Sequence, residues 1–267
     1  VTSASATVTD LGVALPEHWA CHPVVVTEAA HNDWSCSQAW WSDDALLLRM
    51  RRRVGLYADP PGAPDGLYAL GTPQGVARLV LEAGPLDDLG RTTAPRGTRR
   101  DLAALAEASG ATVPAPFRRV AAGLWDWFLT DREPEHFPGE DRVVELTGDH
   151  GLAEAAAALA VAHLQGELTV DDPRSRWWGW RGDDGALHSI VGAGRRMPGA
   201  PWVLGSIGTD PAYRGRGLGA ATTAVAVRAG LREVPYVTLG MYASNDVARR
   251  TYERVGFRVL QEFESAH

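Results

Sequence analysis

In the stretch Asp210-Pro211-Ala212-Tyr213-Arg214-Gly215-Arg216-Gly217-Leu218-Gly219, three alternate glycines join an apolar run to a helical one. The run before it, Trp202–Thr209, reads as a strand. The residues after it carry Leu218, Ala221, Val225 and Val227 at helical spacing. Glycines at 215, 217 and 219 let the main chain come close to a diphosphate, and a helix starting there adds unpaired N–H groups and the positive end of its dipole. Alternate glycines also weaken the start of a helix, so their presence calls for a reason. An anion in the turn supplies one. Two other phosphate loops do not fit: no Gly-Lys-Ser/Thr follows, as a Walker loop needs, and no acid stands about 20 residues on in a second-strand position to hold a ribose.

Working outward, Val237–Met241 reads as the next strand, followed by Asn245, Ala248, Tyr252, Gly256 and Phe257. Arg214-x-x-Gly217-x-Gly219 resembles the R/Q-x-x-G-x-G/A signature of the GCN5-related N-acetyltransferases (GNAT), and Asn245 to Phe257 resembles their N-x-x-A-x-x-x-Y-x-x-x-G-F segment. The resemblance covers about residues 141–265. It implies an α+β GNAT fold: a mixed, mostly antiparallel twisted sheet with flanking helices, here preceded by a second α+β domain.

The resemblance also implies an activity, a GNAT-type N-acetyltransferase using acetyl-CoA or another acyl-CoA as co-substrate. In such proteins the strand before the turn parts from its neighbour, and main-chain groups in the gap pair with the pantetheine arm. Carried onto this chain, those groups belong to Ile207, Gly208 and Thr209. The diphosphate would take the N–H groups of Arg214, Gly215, Arg216, Gly217, Leu218, Gly219 and Ala220. Asn245 matches a position that hydrogen-bonds the cofactor arm, although Asn before a helix is also a good N-cap. Tyr252 matches the general acid, whose phenol stays protonated at neutral pH and donates to the leaving thiolate. Packing on an amphipathic helix is the competing reading of Tyr252.

The sequence departs from the simpler family pattern in one respect: Trp202–Thr209 contains no carboxylate to serve as base. A water chain or an acid from elsewhere must take the amine proton. Glu167, Asp171 and Asp172 lie in the variable loop region that borders the acceptor pocket in such folds, and as a group they favour a cationic acceptor. Trp178 is a candidate pocket wall; aromatic residues also fill strands because they pack well there. Arg195, Arg196 and His188 read as surface residues. The acceptor is expected to be a small-molecule amine. A protein or peptide amine, and a non-catalytic acyl-CoA-binding sensor, are the alternatives.

Upstream, a strand at Arg142–Leu146 leads into an Ala-rich helix from Gly151 to Leu164, and Trp177–Arg181 and Leu187–Gly192 flank the turn Gly182-Asp183-Asp184-Gly185 as a hairpin. The Pro- and Gly-containing acidic stretch before them marks a boundary, giving domains at 1–130 and 141–267 with a linker at 131–140. In the first domain Ala45–Arg49, Val54–Ala58, Leu67–Leu70 and Gly75–Glu82 read as strands, and Asp101–Ser109 and Pro116–Leu129 as helices. No second diphosphate turn is found there, so a degenerate GNAT-like copy that covers the acceptor groove or forms a homodimer is the expectation. Trp34, Trp40, Trp41, Trp125 and Trp127 supply apolar area for either role.

Composition narrows the function classes. All 26 basic residues are Arg, the net charge is −7, and neither half concentrates positive charge as nucleic-acid binding requires. No apolar run approaches membrane-spanning length, and the start lacks a signal-peptide pattern, so no membrane partner and a cytoplasmic location are expected. His18, Cys21, His22, His31 and Cys36 crowd together without the spacing of a zinc site, and no metal is expected.

Overall fold

The computed structural model describes residues 11–54, 58–162 and 168–267. They form two compact units, one of 11–127 with Tyr242–Ser244 and Val259–His267, the other of Phe128–Met241 with Asn245–Arg258.

The chain runs through α1 (Glu17–Ala20), α2 (Pro23–Asn32), β1 (Trp34–Trp41), β2 (Ala45–Arg52), β3 (Gly66–Gly71), α3 (Pro73–Glu82), β4 (Arg91–Pro95), α4 (Thr98–Ser109), α5 (Ala115–Arg118) and β5 (Gly123–Thr130). It continues through β6 (Val143–Leu146), α6 (Gly148–Val161), β7 (Ser175–Arg181), β8 (Leu187–Gly194), β9 (Trp202–Thr209), α7 (Leu218–Leu231), β10 (Val237–Tyr242), α8 (Asp246–Val255) and β11 (Arg258–Ala266). The fold is mixed α+β, and most of its strand pairs are antiparallel.

In the first unit the strands lie in the order β1-β2-β3-β4-β11, with only β3 and β4 parallel among these pairs. A parallel pair needs a crossover, and α3 provides it. That corrects the expectation of a strand at Gly75–Glu82. Thr72 Oγ1 accepts the Gly75 N–H at 3.0 Å, Pro73 opens the helix, and Val76, Leu79 and Val80, three and four apart, enter a core with Leu47, Leu67 and Phe117. The helix expected over Pro116–Leu129 is also corrected: α5 stops at Arg118 and β5 follows. Val120 is 89% exposed and Leu124 44% exposed while Phe128 is buried in β5, so their spacing of four does not mark one buried helical face. Trp125 instead stacks on Phe263 of β11 at 4.5 Å. The strand expected at Val54–Ala58 falls largely on residues outside those described, and β2 has ended by Arg52.

Among the crowded His and Cys residues, His22 caps α2, its Nδ1 accepting the Val24 N–H at 3.3 Å. Burial, helped by His18, lowers its pKa to about 4. The Cys36 thiol is buried and pushed up to about 12.

In the second unit the order is β10-β9-β8-β7-β6, parallel at β9–β10 and antiparallel elsewhere. Trp177 and Ile190 turn to one face, where Ala155 and Ala158 of α6 pack on them with Leu146. Successive residues alternate faces, so Trp178 and Val191 point to the other. α7 covers that second face, and its Gly230 sits so near the sheet that an added Cβ would lie 2.6 Å from Val237 Cγ2. The segment between β5 and β6 is tied to α7: Arg228 donates to both Glu140 oxygens at 2.7 and 3.0 Å and to Glu135 O at 2.8 Å. Leu164, the expected end of the Ala-rich helix, lies outside the described residues. No helix among those described is long and apolar enough to cross a membrane.

Candidate active site

β9 and β10 pair at three positions only, Trp202–Val237, Val203–Thr238 and Leu204–Leu239. Both strands run on past that point. The cause is local. On the other side of β9, Gly205 pairs with Gly192 and Gly208 with Ile190, so Ser206 and Ile207 stand against the single residue Val191 of β8. This is a bulge, and Ser206 carries the backbone strain of it at φ +51°. Beyond the bulge, main-chain groups on the β10 side of β9 need another partner. Thr209 O has one in the Arg214 Nε, at 3.2 Å. Ile207, Gly208 and Thr209 are half-buried there, which leaves them within reach of a ligand.

The glycine turn follows at once. A 3-10 turn at Pro211–Tyr213, capped by Asp210 through the Ala212 N–H at 2.9 Å, delivers the chain to Gly215 at φ +77° and Gly217 at φ +84°. Left-handed residues interleaved with right-handed ones turn successive N–H groups to one side and make an anion nest. α7 starts at Leu218, and its first intrahelical bond runs from the Ala221 N–H to Gly217 O at 3.1 Å. The N–H groups of Leu218, Gly219 and Ala220 therefore have no acceptor within the helix. Arg214, Gly215 and Arg216 are exposed, and Gly217 and Gly219 are half-buried. Gly219 is also where α7 meets β9, since an added Cβ would lie 3.3 Å from Thr209 Oγ1.

α8 begins at Asn245, whose Oδ1 accepts the Ala248 N–H at 3.1 Å. Tyr252, seven residues on, lies on nearly the same helical face. Its ring is buried edge-on to Phe128 at 6.3 Å and Phe257 at 6.2 Å, and burial lifts its pKa to about 12. The phenol is therefore a proton donor, not a base, across the physiological range.

Residues 123–257, just over half of the 267, match the Acetyltransferase (GNAT) family. The chain belongs to this family. Its enzymes are acetyltransferases whose co-substrate is an acyl-CoA, and this GNAT protein is an enzyme of that kind. No curated protein matches the chain significantly. Solved structures similar to it include a GNAT-family acetyltransferase from Novosphingobium aromaticivorans, 23% identical over 91% of this chain and 94% of that one, with a TM-score of 0.48. A GCN5-related N-acetyltransferase from Kribbella flavida is 15% identical over 85% and 88%, TM-score 0.47. An acetyltransferase of the GNAT family from Colwellia psychrerythraea is 10% identical over 98% and 92%, TM-score 0.49.

Around the GNAT motifs, the acceptor-side candidates are placed differently from one another. Glu167 lies outside the described residues. Asp171 is exposed. Asp172 is engaged by its own loop, accepting from Arg174 Nε at 2.8 Å, Nη2 at 2.9 Å and the main-chain N–H at 2.9 Å. That pairing holds its carboxyl below the usual range and weakens it as a base. Trp178 is buried under the Arg176 guanidinium at 4.9 Å. Among the described residues no group of His, Cys, Asp and Glu is arranged to hold a metal ion.

His188, read from the sequence as a surface residue, is 5% exposed. The hairpin register shifts beside it, with Trp180 opposite Ser189 and Arg181 opposite Leu187, so His188 is an extra, bulged residue. A histidine in a turn-flanking strand gives no sequence signal for this. The bulge that buries it is set by pairing across the hairpin.

Proposed function

We propose that this GNAT enzyme transfers an acetyl or other short acyl group from acyl-CoA to a small-molecule amine, which attacks the thioester directly. The observation that carries the reading is the end of β9–β10 pairing at Leu204 and Leu239, directly before a turn with two left-handed glycines at a helix start. An elongated ligand with an amide-bearing arm and a diphosphate suits that sequence of features. Ile207, Gly208 and Thr209 would pair with the arm, and the N–H groups of Arg214 to Ala220 with the diphosphate. The cap engages Asn245 Oδ1, which leaves its amide N–H groups as donors toward the arm.

Acyl transfer then needs a neutral amine, donors for the tetrahedral oxyanion, and a proton for the departing thiolate. Tyr252 supplies the last: its phenol is the weaker acid at rest, and transfer is assisted as charge builds on sulfur. β9 bears no carboxylate, so the amine proton leaves through water or through a loop acid. Of the two described loop acids, Asp172 is the one held away from this role, by Arg174. Acidic groups there favour an acceptor that arrives as a cation and is small enough to use a loop-bordered pocket.

Thiol release from acetyl-CoA across a panel of small primary amines tests this reading. Amine-dependent release is expected. Release with peptides alone would replace the small-molecule acceptor by a protein one, and release with neither would contradict a catalytic role.

A further inference from the structure

The imidazole of His188 lies flat on Tyr213, with ring centroids 3.5 Å apart and planes 11° apart. Its Nε2 is 3.0 and 3.1 Å from the two oxygens of Asp184, and its Nδ1 is 3.4 Å from Asp210 Oδ2. The Asp210 N–H also donates to His188 O at 2.9 Å. Asp210 Oδ1 in turn caps the 3-10 turn, and the Tyr213 N–H returns to Asp210 O at 2.8 Å. One buried residue thus grips both ends of the segment that delivers the chain to Arg214. The fit allows little else, since an added Cβ at Gly182 would lie 2.6 Å from His188 Cδ2 and Nε2.

Carboxylates only accept hydrogen bonds, and a neutral imidazole has a single N–H. A neutral His188 would present a lone pair to Asp184 or to Asp210. Nε2 meets the Asp184 carboxylate at hydrogen-bond distance, whereas Nδ1 approaches Asp210 Oδ2 at 3.4 Å as an ion-pair contact. The charged and titratable groups that face it are Asp184 from the hairpin turn, Asp210 from the end of β9 and Tyr213 from the 3-10 turn. Behind these, Arg216 lies over Tyr213 at 4.8 Å, and Arg142, paired with Asp183 at 2.6 Å, lies over Trp180 at 5.4 Å. Neither arginine touches the ring nitrogens.

We infer that His188, held between Asp184 and Asp210, is a positioning residue for the diphosphate turn, so that acyl-CoA affinity falls when its ring contacts are removed. The inference rests on the reading that Arg214 to Ala220 take the diphosphate. The effect belongs in acyl-CoA binding and not in the chemical step, because His188 touches the turn and not Tyr252. Asp184, whose carboxyl is held low by the Ala186 N–H and then by His188, is the partner outside the turn.

The test is acetyl-CoA titration calorimetry on the wild type, His188→Asn and Asp184→Asn, with kcat and KM measured alongside. His188→Asn should weaken binding about tenfold with little change in kcat, as loss of a charged hydrogen bond does. Asp184→Asn keeps an oxygen for the Ala186 N–H but removes the carboxylate that meets His188 Nε2, so its acetyl-CoA affinity should fall as well with kcat kept. Unchanged affinity in either variant, or a loss of kcat at constant KM, would overturn the inference. Should His188→Asn fail to fold, Asp184→Asn decides alone. Absence of acetyl-CoA binding by the wild type would instead bring down the diphosphate reading on which the inference stands.

Discussion

Leu204 on β9 and Leu239 on β10 are the last paired residues of two parallel strands that both continue beyond them. The parting of the strands is fixed two residues later by Ser206, at φ +51°. A serine tolerates this; a β-branched side chain does not, because its Cβ substituents crowd the carbonyl in the left-handed region. Ser206→Val should lower stability by about 1–2 kcal/mol in urea unfolding and weaken acetyl-CoA binding. Ser206→Gly should preserve both. Equal stability of the valine variant would show that the bulge is not held by this residue.

Gly217 precedes α7 at φ +84°, and no atom lies within 4 Å of where its Cβ would be. Packing therefore does not require glycine there; the backbone conformation does. Gly217→Val is expected to raise the acetyl-CoA Kd more than about tenfold, the equivalent of about 1.4 kcal/mol, measured by calorimetry on protein whose circular dichroism is unchanged. Unaltered affinity would remove the diphosphate from this turn.

Tyr252→Phe keeps the ring between Phe128 and Phe257 and deletes only the hydroxyl. Turnover should fall by about a hundredfold, in the range of a lost general acid, while the acetyl-CoA Kd stays within error. Unchanged turnover would leave Tyr252 a packing residue.

Alkaline unfolding gives the same residue a second signature. Its folded pKa, about 12, is above the ordinary value of 10.0, so the folded state holds its proton more tightly. The resulting stability is complete below pH 10 and is lost as pH rises toward 12. Urea unfolding at pH 9 and pH 11 should show a smaller alkaline loss in Tyr252→Phe than in the wild type. Parallel losses would contradict the buried phenol.

His22 behaves in the opposite sense. Burial and His18 depress its folded pKa to about 4 from 6.5, and only the neutral ring accepts the Val24 N–H. Its contribution is present above pH 6.5 and is lost as pH falls through about 4. His22→Asn retains an acceptor at the N-cap and should flatten this acid limb. A limb as steep as that of the wild type would show that His22 does not govern it.

The second unit was more legible in the sequence than the first, for physical reasons. Trp202–Thr209 is strand from end to end, and the turn, α7 and α8 begin where glycine and asparagine place them, because these residues act through their own backbone. At Gly75–Glu82 the apolar run resembled a buried strand; the deciding signals were Thr72 and Pro73, a cap and a helix-opening proline just outside it. At Pro116–Leu129 chance helical spacing hid the alternation of Trp125 and Trp127 in β5. β4 carries no local signal because its partners, β3 and β11, are distant in sequence, and β1 is set by its pairing with β2 in a hairpin, not by an alternating pattern of its own. The same limit applies to the site. Local motifs pointed to the turn at Gly215–Gly219, Asn245 and Tyr252 as candidates, whereas the burial of His188 and the Arg174 grip on Asp172 depend on the shape of a hairpin and a loop.

The most direct test of the account is calorimetric titration of the purified protein with acetyl-CoA. One molecule bound per chain, with binding lost in Gly217→Val, is the predicted result. No heat and no binding in the wild type would contradict the acyl-CoA site at β9 and α7.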